Sequence, residues 1–287
     1  MNRWVLASRP STLTAAISPV LVGISLSIHG GQFKPFIAFM TLLAAVLIQI
    51  GANFANDVYD FLKGSDREDR LGPRRATQSG LISPDAMKKG MWLVFLLAIC
   101  VGFYLAFIGG WPIVGIGLAS IVSGIAYTGG PYPLGYHGWG DIFVFVFFGI
   151  IAVSGTYYLQ TGVVSNEAIL LGISLGALST AILIVNNLRD ADTDIKSGKR
   201  TLAVRLGKKF VKFEYIIMMV VAFTMPIYIL QFWDEFTLYI ILLLLPISVR
   251  LIQSLYNERG ESLNLVLANT AQFLFHFSIL LSIGLIL

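Results

Sequence analysis

Long apolar runs recur along this chain, and they leave it few ways to fold. Runs of about 20 residues, the length of a bilayer-crossing helix, fall near 11–30, 36–57, 90–109, 111–128, 141–160, 167–187, 211–232, 236–254 and 263–287. In hydrocarbon every backbone N–H and C=O must be satisfied within the protein, and a closed helix does this for itself. The pattern therefore predicts an all-α integral membrane protein of about nine transmembrane helices. The fourth run is short and Gly-rich, and Pro226 and Pro246 predict kinks in the seventh and eighth. Charged residues are 13% of the chain, about half the share in soluble domains. One membrane domain spanning 1–287, with no soluble appendage, is expected.

The placement of charge predicts an orientation. Of 20 Lys and Arg, 19 fall on one side of a nine-span map, and Lys34 alone falls on the other. The positive-inside rule puts the N-terminus and the long 58–89 and 188–210 connections in the cytoplasm, and the C-terminus opposite. The location expected is the cytoplasmic (plasma) membrane. The N-terminal run does not read as a cleavable signal peptide. Cys100 is the one cysteine and reads as a packing residue, so a disulfide framework is excluded. His29, His137 and His276 are too scattered to suggest a histidine metal site. The net charge of +4 suits anionic lipid headgroups and needs no nucleic acid.

Two carboxylate clusters stand at the ends of the second and sixth runs. The first is NFANDVYDFLKGSD, Asn53 to Asp66; the second is NNLRDADTDIKSGKRT, Asn186 to Thr201. Each opens with Asn-x-x-x-Asp, and that spacing puts both side chains on one helix face. Asn53, Asp57 and Asp60 continue one stripe; Asn186, Asp190 and Asp194 make the other, with Asp192 off it. Carboxylates beside a bilayer are expensive and usually have a partner that needs them. Acid at a helix C-terminus also opposes the macrodipole, a cost that a bound cation offsets. These six residues are the candidate ligands of Mg²⁺, which takes one or two carboxylates together with phosphates and water.

Cations interleave with the acids. Lys63, Arg67 and Arg75 in the first loop, and Arg189, Lys196 and Lys199 in the second, are candidates for holding a diphosphate. Topology alone would also place basic residues there. A third region, YTGGPYPLGYHGWGD from Tyr127 to Asp141, joins GTYYLQ at 155–160. Its Tyr faces suit an allylic cation or stacking on an aromatic acceptor, or simply an interfacial aromatic belt. Tyr132, Tyr157, Asp141 and Asn187 are candidates for an acceptor or cavity wall. Asp141 also reads as a helix N-cap. Together these features point to Mg²⁺-assisted departure of diphosphate from a membrane-embedded lipid. The attacking group cannot be read from spacing.

At these motifs the chain resembles the UbiA superfamily of intramembrane prenyltransferases, which carries NDxxDxxxD after its second helix and DxxxD after its sixth. The matches here are Asn56-Asp57-x-x-Asp60 and Asp190-x-x-x-Asp194, with Gly64 where the family has Asp and Asp66 as the nearest acid. RPSTL at 9–13, GPRRATQSGLIS at 72–83, YTGGPYPLGY at 127–136, FVFFG at 145–149 and the 186–207 segment resemble the 1,4-dihydroxy-2-naphthoate branch. The resemblance implies nine helices around a central cavity and two Mg²⁺ ions between the Asp-rich loops and a polyprenyl diphosphate. It implies attack by the naphthoate ring on an allylic cation, with loss of CO2 and diphosphate, giving demethylmenaquinone, or demethylphylloquinone from a phytyl donor. It assigns Asp57, Asp60, Asp190, Asp194 and Tyr127 to catalysis, with Asn53, Asp57, Asp190 and Asp194 the best matches to the metal positions.

Two alternatives compete. The same chemistry on 4-hydroxybenzoate or homogentisate would use the same clusters. A transporter of an anionic metabolite would also line a cavity with Asp and Asn, but its path needs polar groups at mid-membrane and beyond.

Overall fold

The apolar runs fold into helices almost throughout. The computed structural model describes residues 2–66, 70–229 and 236–287. A short α1 (Arg3–Ser8) leads into α2 (Pro10–His29), α3 (Pro35–Leu62), α4 (Pro84–Gly109) and α5 (Trp111–Ala126). The fifth run is α6 (Gly140–Phe145) and α7 (Ala152–Thr161), joined through a π-helical turn at Val146–Ile151. Then come α8 (Asn166–Lys196), a short α9 (Leu202–Arg205), α10 (Lys208–Ile229), α11 (Leu245–Asn257) and α12 (Leu263–Ile286). A 3₁₀ stretch, Phe236–Leu244, precedes α11, and it gives way to α-helix at Leu245, one residue before Pro246. Eight of these segments are long and apolar enough to cross a membrane, and α5, at 16 residues, is the short fourth run.

Local chemistry sets several boundaries. Pro stands at the first or second helical position of α2, α3, α4, α5 and α11, where its missing N–H costs nothing. Ser83 caps α4 as its sequence predicts, accepting from the Ala86 N–H. Pro226 lies inside α10.

The helix α8 occupies the centre. Its Leu171, Leu175, Leu178, Ile184 and Val185 are fully buried against α10, α12 and α2. Close approach depends on glycine: a Cβ on Gly149 would sit 2.3 Å from the Gly172 carbonyl oxygen, and one on Gly176 would sit 2.4 Å from that of Phe145. Small residues let two backbones approach inside a bilayer, where dispersion rather than solvent exclusion drives packing. A second core joins α3, α4 and the 76–82 turn through Phe54, Val58, Met87 and Phe95. Cys100 is not the packing residue its sequence suggests; it is exposed on the outside of α4.

The crossings alternate in direction. The start of α2 and the ends of α3 and α8 therefore lie at one end of the bundle. That arrangement brings the two acidic clusters together.

Candidate active site

One cavity of about 660 Å³ runs into the bundle from that end. Every charged residue on its wall is at that end: Arg9, Asp60, Asp66, Arg70, Arg75, Asp190, Asp194 and Lys199. The remainder is mostly apolar, with Val20, Ala44, Ile48, Ile116, Phe147 and Ile151 on the wall and only hydroxyl and amide groups between them.

Asp60 is the hub of the charged end. It accepts from the Tyr136 hydroxyl at 2.8 Å and from Arg75 Nη2 at 3.2 Å, and Lys199 Nζ lies 3.1 Å away. Ser65 Oγ lies 2.5 Å from the Tyr136 hydroxyl. Lys199 and Lys63 also stand over the Tyr136 ring, 4.7 and 5.1 Å from its centroid. Backbone bonds hold this junction closed, because the Arg200 N–H donates to the Tyr136 carbonyl at 2.8 Å. Sequence reasoning passed over Tyr136. Its signal was the register of the aromatic loop, which no helical period reveals.

The Asn-x-x-x-Asp pair that reaches the cavity from α3 is Asn56 and Asp60. Asp57 is the correction. Its carboxylate lies off the wall, 1% exposed, and accepts the Ala76 and Thr77 N–H groups at 3.1 and 2.9 Å. One residue is about 100° of helix rotation, which separates the face toward the cavity from the face toward the 75–77 turn. Asp57 thereby anchors the turn that presents Arg75 to Asp60. Asn53 does reach the wall, yet its amide donates to the Ser8 carbonyl and Thr12 Oγ1, at 2.8 and 2.9 Å, tying α3 to the α1–α2 junction.

On α8, Asn186, Asp190 and Asp194 line the cavity as their spacing predicts, and Asn187 lines it too. Asp192 faces outward and pairs with Lys208 at 2.7 Å. Arg189 is buried behind the wall and clamps its neighbours: Nε bonds Asp190 at 2.8 Å, Nη2 bonds Asn186 at 2.8 Å and Nη1 bonds Asn264 at 2.8 Å. Asn264 in turn donates to the Leu71 carbonyl, joining α12, α8 and the first loop. A buried Arg already satisfied by three partners is not free to hold a phosphate.

The other expected phosphate ligands divide. Arg75 and Lys199 are on the wall. Lys63 is exposed at the rim and donates to the Gly130 carbonyl, and Lys196 is exposed and off the wall. Arg67 lies outside the described residues. Arg9 and Arg70 are additions. Arg9 is the one non-glycine residue with positive φ among those described, at 49°, and its Nη2 is buried with no partner. A left-handed backbone beside a guanidinium nitrogen that is buried without a partner suits a site that holds an anion.

Tyr127 follows the last turn of α5 and lines the cavity. Glycines make room for it: a Cβ on Gly135 would lie 2.8 Å from its ring, and one on Gly140 2.8 Å from its hydroxyl. Three other expectations are corrected. Tyr132 is exposed and stacks on His137 at 3.7 Å, away from the cavity. Tyr157 packs into the central core instead. Asp141 is buried off the wall and does not cap its helix.

The donor set fits a hard divalent cation. The wall offers carboxylates Asp60, Asp66, Asp190 and Asp194 and the amides of Asn56 and Asn186, and Asp66 Oδ2 is buried with no partner. Among the described residues no three acidic, His or Cys side chains converge on one point. Such dispersed carboxylates suit Mg²⁺, which leaves much of its shell to phosphate and water. Four carboxylates face four cations on this wall, so their formal charges balance and a bound metal would tip the wall toward an anion.

Known proteins share this fold and resemble this sequence. Residues 16–279 match the UbiA prenyltransferase family. A 1,4-dihydroxy-2-naphthoate octaprenyltransferase of Haemophilus influenzae is 36% identical over 100% of this chain and 96% of its own length. Its namesake in Bacillus subtilis is 30% identical over 99% and 92%. The solved structure of a UbiA homolog from Archaeoglobus fulgidus bound to DMAPP and Mg²⁺ superposes with a TM-score of 0.73, at 15% identity, over 99% of both chains. By the family match and by these relatives, the chain belongs to the UbiA prenyltransferase family of membrane-embedded enzymes.

Proposed function

We propose that this prenyltransferase moves a polyprenyl group from polyprenyl diphosphate to 1,4-dihydroxy-2-naphthoate, releasing diphosphate and CO2 and giving demethylmenaquinol, the reduced form of demethylmenaquinone, or demethylphylloquinol from a phytyl donor. The observation that carries the reading is the cavity's division into a charged end and an apolar remainder. A prenyl diphosphate divides the same way. The curated names of the relatives support the naphthoate acceptor.

The diphosphate lies at the charged end, between Arg9, Arg70, Arg75 and Lys199. Asn56, Asp60, Asp66, Asn186, Asp190 and Asp194 hold Mg²⁺, two ions in this reading. When bound, Mg²⁺ supplies the positive charge that a departing diphosphate needs. The prenyl tail fills the apolar part, where no carboxylate or water-rich surface competes for the cation. The C–O bond to diphosphate breaks, and the allylic carbon left behind faces the neutral ring of Tyr127. The naphthoate ring carbon then supplies the electron pair for the new C–C bond, and the ring gives up its carboxylate as CO2. The charged residues on the cavity wall all lie at one end, which argues against a transport path.

The polypeptide 1–287 forms one catalytic unit in the cytoplasmic membrane. Its N-terminus and charged loops face the cytoplasm, and its C-terminus faces the other side, following the distribution of Lys and Arg.

The test is an acceptor competition. Purified protein receives Mg²⁺, a polyprenyl diphosphate and equal amounts of 1,4-dihydroxy-2-naphthoate, 4-hydroxybenzoate and homogentisate, with products read by mass spectrometry. A prenylated naphthoquinol lacking the carboxylate, absent with EDTA, is expected. Product from another acceptor instead would move the enzyme to another pathway.

A further inference from the structure

A second recess lies between α11 and α12, on the far side of α12 from the catalytic cavity. Asn264, Leu267 and Ala271 of α12 face the cavity, whereas Asn269, Gln272 and His276 face the recess. Its volume is about 400 Å³, and α11 adds Arg250 and Ser254. Arg250, Asn269, Gln272 and His276 are exposed. They lie on segments that cross the bilayer, Tyr239–Asn257 and Gly260–Ile286. Among the described residues, none of the five side chains has a hydrogen bond or ion pair with another residue.

Polar groups that face lipid without partners are costly, and in membrane helices they mark functional sites. The charge of the recess selects its occupant. It holds one guanidinium and no carboxylate, and the surrounding amides, hydroxyl and imidazole can all donate. The occupant is therefore an anion. Depth selects further. Arg250 is seven residues from the end of α11 and Asn269 six from the start of α12. At 1.5 Å per residue both lie about 10 Å from the helix ends, within reach of the headgroup layer for a long basic side chain. The recess opens on the lipid-facing surface, so its anion arrives through the bilayer.

We propose that the α11–α12 recess binds the headgroup of an anionic phospholipid, with Arg250 on the phosphate and Ser254, Asn269 and Gln272 donating around it. Basic pockets between transmembrane helices recognise lipid phosphates in this way. Because α12 also walls the catalytic cavity, the bound lipid braces that wall from behind.

The test uses the full chain in nanodiscs of phosphatidylcholine with graded phosphatidylglycerol, with retained lipid counted by native mass spectrometry. Wild type is expected to keep one phosphatidylglycerol in preference to phosphatidylcholine. Arg250→Gln should bind it roughly fivefold more weakly, the effect of one basic residue near an anionic surface, while Arg250→Lys keeps most of the preference. An Asn269→Leu/Gln272→Leu variant keeps the charge and should weaken binding too, which covers the case of Arg250→Gln failing to fold. Prenyl transfer in pure phosphatidylcholine should be unchanged in all of them. Equal phosphatidylglycerol retention by wild type, Arg250→Gln and the double variant would overturn the proposal. So would competition by soluble glycerol 3-phosphate, which would mark a free-phosphate site. Efficient Gln272→Cys self-crosslinking in phosphatidylglycerol discs would overturn it as well, by showing a second copy over the recess.

Discussion

The Tyr136 hydroxyl donates to Asp60 at 2.8 Å and so fastens the aromatic loop after α5 to the acidic end of α3. The same ring lies under Lys199 from the α8 side. One phenol therefore bridges both halves of the charged wall. Burial and the adjacent Asp60 hold its ionisation well above the ordinary phenol range, so it remains a donor at physiological pH.

Tyr136→Phe removes the hydrogen bond and keeps the ring. A bond to a charged acceptor contributes roughly 1.5–3 kcal/mol, so kcat/KM for the prenyl diphosphate should fall about 10- to 100-fold. The Mg²⁺ concentration for half-maximal activity should rise with it. Steady-state kinetics over a Mg²⁺ series checks this, and an unchanged Mg²⁺ requirement would refute the bridging role.

Asp57 and Asp60 should separate although they are three residues apart. Asp60→Asn should abolish turnover, and because it strips Arg75 and Lys199 of a buried partner it should lower the melting temperature as well. Asp57→Asn breaks an anchor to two backbone N–H groups, which costs about 1–3 kcal/mol of stability, and should retain measurable turnover. Thermal melts beside activity assays decide the matter; the reverse pattern would return Asp57 to the metal ligands.

Gly140→Ala pushes a methyl group to 2.8 Å from the Tyr127 hydroxyl. Turnover should fall at least tenfold if Tyr127 faces the reacting carbon. In a Tyr127→Phe background the clashing oxygen is gone, so adding Gly140→Ala should cost little more. A double-mutant cycle reads this coupling, and additive losses would separate the two residues.

Metal removal should act on binding as well as on turnover. The wall balances four carboxylates against four cations, so inorganic diphosphate should raise the melting temperature only when Mg²⁺ is present. Stabilisation by diphosphate in EDTA would mean that the basic residues suffice alone.

A reporter fused after Leu287 should lie outside the cytoplasm, and one before Asn2 inside. A cytoplasmic C-terminal reporter would change the parity of the crossings.

The sequence by itself determined the membrane helices, because length and hydropathy are local properties and hydrocarbon permits little besides a helix. It also singled out the ends of α3 and α8, since acids beside a bilayer are too costly to keep without a partner. Helical period put Asp190 and Asp194 on one face, and both line the cavity, because α8 is one unbroken helix from Asn166 to Lys196. It could not choose between Asn53/Asp57 and Asn56/Asp60, which share one spacing. Only the packing of the 75–77 turn against α3 decided which face meets the cavity. The roles of Arg9, Tyr136 and Arg189 came from the tertiary structure for the same reason. Each depends on a partner that is remote in sequence, and whether a buried cation grips a neighbour or is left unsatisfied is a property of the assembled bundle.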